Sequence, residues 1–171
     1  MIYFDQLRKA MALVAEHPDT LFVGQAVRYS GQRAFGTFAD VPMERRIEMP
    51  VAEDFQAGFC TGLALEGYIP LSFYPRFDFL LIAANAIVNH LDKVAAMSDF
   101  KPKVIFRTAV GTRKPLDPGL QHIQNHTHGM RQMLKHIPVE ELKRAEDIMT
   151  AYKWALNAQH SVIMVEYMER Y

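Results

Sequence analysis

The sequence predicts an α/β fold, a three-layer α/β/α domain with a mostly parallel central sheet. Short apolar runs alternate along the chain with longer runs of helical periodicity, an order typical of parallel strands whose helices cover both faces of the sheet. Half of the 171 residues are apolar, which is enough for one full core. The chain has no internal repeat, low-complexity tract or domain-sized linker, so we expect a single domain over residues 1–171.

The first half of the chain has the patterns of two helices and three strands. Apolar residues at helical spacing predict a helix over Tyr3–His17, which Pro18 stops. The second predicted helix is Glu53–Glu66, and Gly67 is placed like its carboxyl-terminal cap. Three short runs are the predicted strands, LFVGQ (21–25), RRIEMP (45–50), which Pro50 closes, and IPLSFY (69–74).

The second half continues the alternation. Asp78–Met97 is the longest helical run, and helical patterns return over His128–His136 and Val139–Ala158. Two further runs are predicted strands, KVIFRT (103–108) and SVIMVEYM (161–168). Val110–Gly119 holds two glycines, two prolines and three charged residues, which favours a loop.

Ligands of such sheets usually bind where the carboxyl ends of the strands meet their loops. Gln25, Pro50 with the following VAED, and Phe73 with the following YPRFDF all lie at predicted strand ends. We therefore expect these segments to be neighbours in space, although they are far apart in the sequence.

Charge and cysteine content narrow the class of protein. Lysine plus arginine and aspartate plus glutamate number 19 each, so no net field favours nucleic acid or an anionic membrane. The longest apolar run, FDFLLIAANAIV, is shorter than the roughly 20 residues that span a bilayer. The amino terminus carries charges through its apolar run, unlike a secretory signal, and the single cysteine, Cys60, suits a reducing compartment. We expect a cytoplasmic protein without nucleic-acid or membrane partners.

A series of motifs resembles one known family. Residues 48–97 contain a proline, a glutamate three residues later, a glycine-spaced helix, Gly-x-x-Pro and a phenylalanine-rich turn into a long helix. These elements are Pro50, Glu53, Gly58 with Gly62, Gly67 to Pro70, and Phe77 with Phe79. Together with LFVGQAV, KVIFRTAVGTRKPLDPGLQHIQ, KHIP and SVIMVEY, they resemble the pyrimidine-binding domain of thiamine diphosphate enzymes. The resemblance is greatest to the beta subunit of the 2-oxo acid dehydrogenase decarboxylating component, and less close to transketolase.

The resemblance implies a catalytic role for Glu53 and thiamine diphosphate as cofactor. In the family, a glutamate hydrogen-bonds a ring nitrogen of the cofactor's aminopyrimidine and favours its imino tautomer, which then takes the proton from the thiazolium carbon. Phe79 matches the aromatic residue that stacks on the pyrimidine, and Gln25 stands where a glutamate often lies at the cofactor's edge. Pro75 replaces a larger apolar contact of the pocket wall. The simpler alternatives are a first-turn carboxylate for Glu53 and a core side chain for Phe79.

The stretch QHIQNHTHG contains three histidines within seven positions. His122 falls where the family places an active-site histidine, which donates a hydrogen bond or a proton to the substrate-derived intermediate. His126 and His128 match no family position, and we expect them at a helix entry or on the surface. The alternative is a metal site on all three histidines, but only Asp117 offers a further ligand nearby.

The family's diphosphate and magnesium signature is missing from this sequence. There is no Gly-Asp-Gly followed by paired asparagines, and the sequence ends at Tyr171 without the family's carboxyl-terminal domain. The resemblance therefore implies a separate, alpha-like subunit that binds the diphosphate and supplies most of the contacts to Mg²⁺. The complex would contain two chains of each kind. The helix with Gly58 and Gly62 allows close approach of another helix, plausibly between subunits.

The sequence also shows one departure from the family pattern, and it leaves the substrate and the catalytic role open. After KHIP, the helical composition of VEELKRAED departs from the family's strand, so we expect a shortened sheet edge. The substrate is either a 2-oxo acid, which is decarboxylated, or a ketose that donates a two-carbon unit. The chain could also be a non-catalytic, orphaned pyrimidine-binding domain that binds or regulates a partner.

Overall fold

A six-stranded sheet forms the centre of the computed structural model, which describes residues 2–115 and 117–171. The strands are β1 (Thr20–Gly24), β2 (Arg46–Glu48), β3 (Ile69–Tyr74), β4 (Ile105–Val110), β5 (Val139–Glu141) and β6 (Val162–Tyr167). Their spatial order is β2-β1-β3-β4-β6-β5, and every pairing is parallel. The carboxyl ends of all six strands therefore lie at one edge of the sheet.

Helices cover both faces of this sheet. They are α1 (Ile2–Glu16), α2 (Glu53–Leu65), α3 (Phe77–Leu80), α4 (Asp92–Met97), α5 (Thr127–Met133) and α6 (Ala145–Asn157). Helices α1 and α6 pack on one face, and α2, α5 and the segment from α3 to α4 pack on the other. Strand residues alternate between the two layers, since Phe73 contacts the first cluster and Tyr74 the second. The predicted three-layer α/β fold is confirmed.

The end of α2 follows the prediction closely. Gly67 has a φ of +93°, and its N–H donates to the carbonyl of Ala64, while the N–H of Tyr68 donates to the carbonyl of Leu63. Glycine tolerates this left-handed conformation, so it can stop the helix while satisfying the last carbonyl groups. The predicted cap is confirmed.

The predicted helix over Val139–Ala158 is wrong in its first six residues. Val139–Glu141 instead forms β5 at the sheet edge, and α6 begins only at Ala145. Val139 is buried against Ile163 of β6, and the side chain of Arg131 donates to the Val139 carbonyl. Pairing with β6 and burial of Val139 outweigh the helical propensity of the local sequence.

The long helix predicted over Asp78–Met97 is broken in the structure. The 3₁₀ turn Leu81–Ala83 follows α3, and a π-helical turn at Ala86–Leu91 leads into α4, with a bend of 59° between the two halves. Asp92 lies just after the π turn and is 1% exposed. Its carboxylate accepts hydrogen bonds from the N–H groups of residues 135–137, so it anchors the KHIP segment.

The remaining boundaries differ from the predictions by a few residues. Helix α5 covers Thr127–Met133 rather than His128–His136, and β4 covers Ile105–Val110 rather than residues 103–108. Among the described residues, no single helix is long and apolar enough to cross a membrane, although the bent pair Phe77–Ala83 and Ala86–Met97 meets the length and composition criteria together.

A buried ion pair joins β4 to β6. Arg107 donates to both carboxylate oxygens of Glu166 at 2.5 and 3.0 Å, and both side chains are 0% exposed. The guanidinium carbon lies 4.8 Å from the ring centroid of Phe38 and 5.0 Å from that of Phe73. Burial disfavours the charged guanidinium, but the facing Glu166 carboxylate outweighs it and raises the pKa of Arg107.

Two tyrosines complete the surroundings of Glu166. The hydroxyl groups of Tyr152 and Tyr171 both donate to its carboxylate, and burial, followed by the Glu166 charge, raises the pKa of each tyrosine well above its ordinary value. Both tyrosines therefore stay neutral donors. The pair thus connects β4, β6, α6 and the last described residue of the chain.

We predict that Glu166→Gln lowers the free energy of unfolding by about 3–5 kcal/mol, because it leaves the Arg107 charge buried and unpaired. Urea denaturation measures the change. Combining it with Arg107→Met should recover part of the loss, since no unpaired charge then remains. The matched control is Asp40→Asn, which removes the exposed ion pair with Arg8 and should have a much smaller effect. A double variant that is less stable than Glu166→Gln alone would contradict the prediction.

Candidate active site at the carboxyl edge of the sheet

Glu53 lies at the carboxyl edge of the sheet as the first residue of α2. It is 4% exposed, and its Oε1 accepts a hydrogen bond from Nε2 of Gln25, which follows β1, at 3.1 Å. The carboxylate is therefore a buried, oriented acceptor rather than an exposed first-turn charge. Gln25 and Glu53, which are 28 positions apart in the sequence, are brought together as the sequence predicts.

The start of α2 is held to the sheet by polar contacts that the sequence did not indicate. The hydroxyl of Tyr74 donates to the carbonyl of Glu53 at 3.2 Å. The buried Gln56 amide donates to Ser72 Oγ and to the Phe73 carbonyl, each at 3.0 Å. These bonds fix where the Glu53 side chain begins, because they attach its backbone and the next helical turn to β3.

Glu48 at the end of β2 organises the loop that follows Gln25. Its carboxylate accepts hydrogen bonds from the consecutive backbone N–H groups of residues 26–29, at 2.6–3.4 Å. Ala26 has a φ of +56°, which turns the chain so that these N–H groups converge on one anion. The sequence places a carboxylate in the predicted strand RRIEMP but does not by itself indicate this role.

Phe79 and His122 come together from different parts of the chain. Their ring centroids are 5.4 Å apart, and the rings meet edge to face at 84°. His122 ends a 3₁₀ turn at Leu120–His122 and packs its backbone against Gly111, where an added Cβ would lie 1.9 Å from the His122 carbonyl oxygen. Only glycine permits this approach, so Gly111 after β4 determines the position of His122.

Asp78 joins the His122 loop to the segment that carries Phe79. Its Oδ1 accepts from Nε2 of Gln124 at 3.0 Å and lies 3.1 Å from Nε2 of His126. Sequence reasoning missed this role of Asp78, which was only assigned as a helix start. Gln124 and His126 follow His122 within four residues, so these contacts restrict the motion of its loop.

The other two histidines of the cluster have different surroundings. His126 precedes α5, as predicted, but it also meets Phe77 edge to face at 5.5 Å in addition to contacting Asp78. His128 is exposed on α5. Across residues 2–115 and 117–171, no group of three histidine, cysteine, aspartate or glutamate side chains is placed to hold a metal ion.

An open cavity of about 380 Å³ lies beside Phe79 and His122. Its lining also includes Arg33, Arg76 and Met168. Pro75 is buried at the end of β3, where its carbonyl accepts from Nη1 of Arg76 at 3.0 Å. Glu53 and Gln25 pair with each other outside the lining of this cavity.

Sequence comparison finds relatives among beta subunits. The chain is 29% identical to the pyruvate dehydrogenase E1 component subunit beta of Rickettsia felis over 171 residues, which cover 95% of this chain and 51% of that protein. It is 24% identical to the subunit of the same name from Staurastrum punctulatum over 178 residues, which cover 100% of this chain and 53% of the relative. The chain thus spans about half the length of these relatives. No family model matches it.

Solved structures give the same fold. A split-gene transketolase, described as an inactive beta4 tetramer, superposes with a TM-score of 0.72 at 21% identity, covering 94% of this chain and 49% of that one. Transketolase from Campylobacter jejuni superposes with a TM-score of 0.71 at 17% identity, covering 95% and 25%. The chain thus has the fold of these transketolases, and its sequence is similar along nearly its whole length to beta subunits of the pyruvate dehydrogenase E1 component, which supports the predicted resemblance to the pyrimidine-binding domain of that superfamily.

Proposed function

We propose that this chain is the beta-like, pyrimidine-binding subunit of a split thiamine diphosphate-dependent enzyme. In this proposal it activates the cofactor for attack on a 2-oxo acid or a ketose, and it does so only in complex with a separate diphosphate-binding subunit. The observation that carries the proposal is the buried carboxylate of Glu53, which is oriented by Gln25 at the carboxyl edge of the sheet.

The donor set at this edge fits an aminopyrimidine. A carboxylate and a carboxamide lie side by side: the carboxylate can accept a hydrogen bond from the N–H of a protonated ring nitrogen, and the carboxamide oxygen can accept one from an exocyclic amino group. Thiamine diphosphate, when bound, supplies a carbon nucleophile that attacks a carbonyl. Related proteins in the superfamily are named as enzymes of this chemistry, which supports the same cofactor here.

Glu53 is held in the way that such a role requires. Gln25 occupies Oε1, and the contacts of Tyr74 and Gln56 hold the first turn of α2 against β3. The second oxygen can then accept a hydrogen bond from the protonated ring nitrogen without a change of backbone position. A carboxylate fixed in advance stabilises charge more effectively than one that must reorganise.

In this proposal, Phe79 contacts the pyrimidine ring and His122 contacts the substrate. Phe79 packs against the pyrimidine, and its edge-to-face contact with His122 limits the rotation of the imidazole. His122 lines the cavity, so it can donate a hydrogen bond or a proton to an oxygen of a substrate bound there. Pro75, buried behind Arg76, supports the pocket wall through its backbone.

Subunit contacts belong to the proposal as well. The relatives are named as beta subunits, and we propose that a separate alpha-like chain supplies the diphosphate site and most of the Mg²⁺ contacts, in a heterotetramer. Apolar side chains are exposed on and around α2, namely Val51, Phe55, Leu65, Leu81 and Ile82. Nothing lies within 4 Å of a Cβ added at Gly58 or Gly62, so this side of α2 is open to a second copy of the chain.

Replacing Glu53 tests the proposal directly. With the proposed diphosphate-binding subunit present, calorimetry should show binding of thiamine diphosphate with Mg²⁺, and Glu53→Gln should lower turnover by roughly 10²-fold or more. Asp54→Asn, the adjacent and exposed carboxylate, is the matched control and should retain activity. A mixed sample that neither binds the cofactor nor responds to Glu53→Gln would leave a non-catalytic domain as the better description.

His122→Ala should separate chemistry from cofactor binding. We expect turnover to fall by roughly 10²-fold or more while the cofactor Kd stays nearly unchanged, because the imidazole lines the substrate cavity. His128→Ala, on the exposed face of α5, should leave both quantities unchanged. A zinc chelator in the presence of excess Mg²⁺ should have no effect, and inhibition by it would instead support a metal site on the histidines.

The α2 surface gives a prediction about assembly. Phe55 is 62% exposed and stacks on Phe59 with centroids 6.2 Å apart. Phe55→Asp places a charge in the proposed interface and should shift the sedimentation of the assembled complex toward smaller species. Met43→Asp, at an exposed apolar residue in the 3₁₀ turn Met43–Arg45 outside α2, should leave sedimentation unchanged. If the two variants sediment alike, the contact between copies of this chain does not involve the exposed surface of α2.

A further inference from the structure

Glu141, the last residue of β5, lies beside the loop that follows His122. Its Oε2 accepts hydrogen bonds from the hydroxyl of Tyr167, at the end of β6, and from Nδ2 of Asn125 at 3.5 Å. The Tyr167 hydroxyl in turn accepts from Nδ2 of Asn125 at 3.2 Å. These three side chains, which we call the Glu141 cluster, therefore form a closed set of hydrogen bonds at the ends of two strands.

Asn125 connects this cluster to the start of α5. Its Oδ1 accepts from the backbone N–H of Thr127 at 3.0 Å and from the Thr127 hydroxyl at 2.6 Å. Thr127 is the first residue of α5 and is 3% exposed. The carboxamide of Asn125 is thus bonded through both its oxygen and its nitrogen. Only two residues separate Asn125 from His122, so a fixed Asn125 restricts the backbone that carries the imidazole.

The Glu141 cluster also closes the segment of chain between β4 and β5. After His122 the chain forms α5 and then residues 135–137, whose N–H groups donate to the Asp92 carboxylate. The chain then enters β5, and Glu141 returns to Asn125, which lies 16 positions earlier. Because the segment is held at both of its ends, it has less conformational freedom than a loop anchored on one side.

The charges around Glu141 keep the cluster intact at neutral pH. Arg131 Nη1 and Lys143 Nζ each lie 3.3 Å from Oε1 of Glu141. Burial opposes ionisation of Glu141, but the hydrogen bond from Tyr167, followed by Lys143, outweighs it and lowers the pKa of this carboxyl. Burial, followed by the hydrogen bond to Glu141, raises the pKa of Tyr167 to about 12. Glu141 thus stays an ionised acceptor and Tyr167 a neutral donor.

We propose that the Glu141 cluster positions His122 for the reaction. The assignment rests on the proposed function of His122 and deepens it by naming what holds the imidazole loop. As far as the structure describes the cavity beside His122, its lining includes none of the three cluster residues, so they act through the loop rather than on the substrate. Glu141, Tyr167 and Asn125 are therefore positioning residues.

NMR of the full chain alone tests the positioning without a partner subunit. The ring of Phe79 meets the imidazole of His122 at 5.4 Å, so its ring current shifts the imidazole C–H signals, which His122→Ala assigns. Tyr167→Phe keeps the aromatic ring but removes the hydroxyl that joins Glu141 to Asn125. We expect this variant to move the His122 signals toward those of an exposed histidine.

Two substitutions of Glu141 and one matched control make the test specific. Glu141→Ala should displace the His122 signals more than Glu141→Gln, because glutamine keeps an oxygen that accepts from Tyr167. Glu140→Gln, at the adjacent and exposed carboxylate of the same strand, should leave the signals unchanged. The signals of His128, which is exposed on α5, should be the same in every variant. If Glu141→Ala does not fold, Tyr167→Phe decides the test.

Kinetics of the mixed complex then measure the effect on the reaction. With the proposed diphosphate-binding subunit present, Tyr167→Phe should lower kcat by about tenfold while KM and the cofactor Kd stay nearly unchanged, since a displaced imidazole costs rate rather than binding. A merely structural role would instead lower the fraction of chains that bind cofactor and leave turnover per bound cofactor as in the native complex. Glu140→Gln should retain the native kcat.

Two results would overturn the inference: His122 signals that Tyr167→Phe leaves in place, or native turnover per bound cofactor in that variant. The proposed function fails separately, through a native mixed sample that neither binds thiamine diphosphate nor turns over. If such a sample still shows His122 signals that depend on Tyr167 and Glu141, the cluster holds the His122 loop, but the enzyme assignment is wrong and the loop serves no reaction of this cofactor.

Discussion

The buried pair of Arg107 and Glu166 sets the register of the central strands. A shift of β4 against β6 by one residue would turn one of these charges to the other face of the sheet and break the ion pair. Phe73 packs on the same guanidinium, so β3 is tied to this register as well. Because β3 continues into the Phe79 segment and β4 into Gly111, this strand alignment also brings the segments that carry Phe79 and His122 to the same edge of the sheet.

Hydrogen bonds around the start of α2 are the second constraint on the site. Glu48 takes up four consecutive backbone N–H groups, and this fixes the loop next to Gln25. Gln56 and Tyr74 fix the start of α2. Glu53 therefore lies on a rigid helix end instead of a mobile loop, which suits a group that must be in place before any ligand arrives.

Asp78 changes the interpretation of the histidine cluster. His126 matched no functional position in the sequence, yet it contacts Asp78 and Phe77 and holds the loop that carries His122. His126 therefore acts on the site through another residue, whereas His128 is exposed. The cluster contains one residue that lines the cavity, one that supports its position and one on the surface.

The sequence by itself determined the alternating α/β order, the cap at Gly67 and the proximity of the segments that carry Gln25 and Glu53. These features depend on local periodicity, on turn chemistry and on the rule that parallel strands end at one edge, whereas the candidate role of His122 is implied by the family resemblance. Only the tertiary structure decided that Val139–Glu141 is a strand, that residues 78–97 bend, and that Arg107 is buried beside Glu166. It also brought Arg33, Arg76 and Asp78 to the site. Each of these outcomes depends on contacts between residues far apart in the chain, and local propensity carries no information about such contacts.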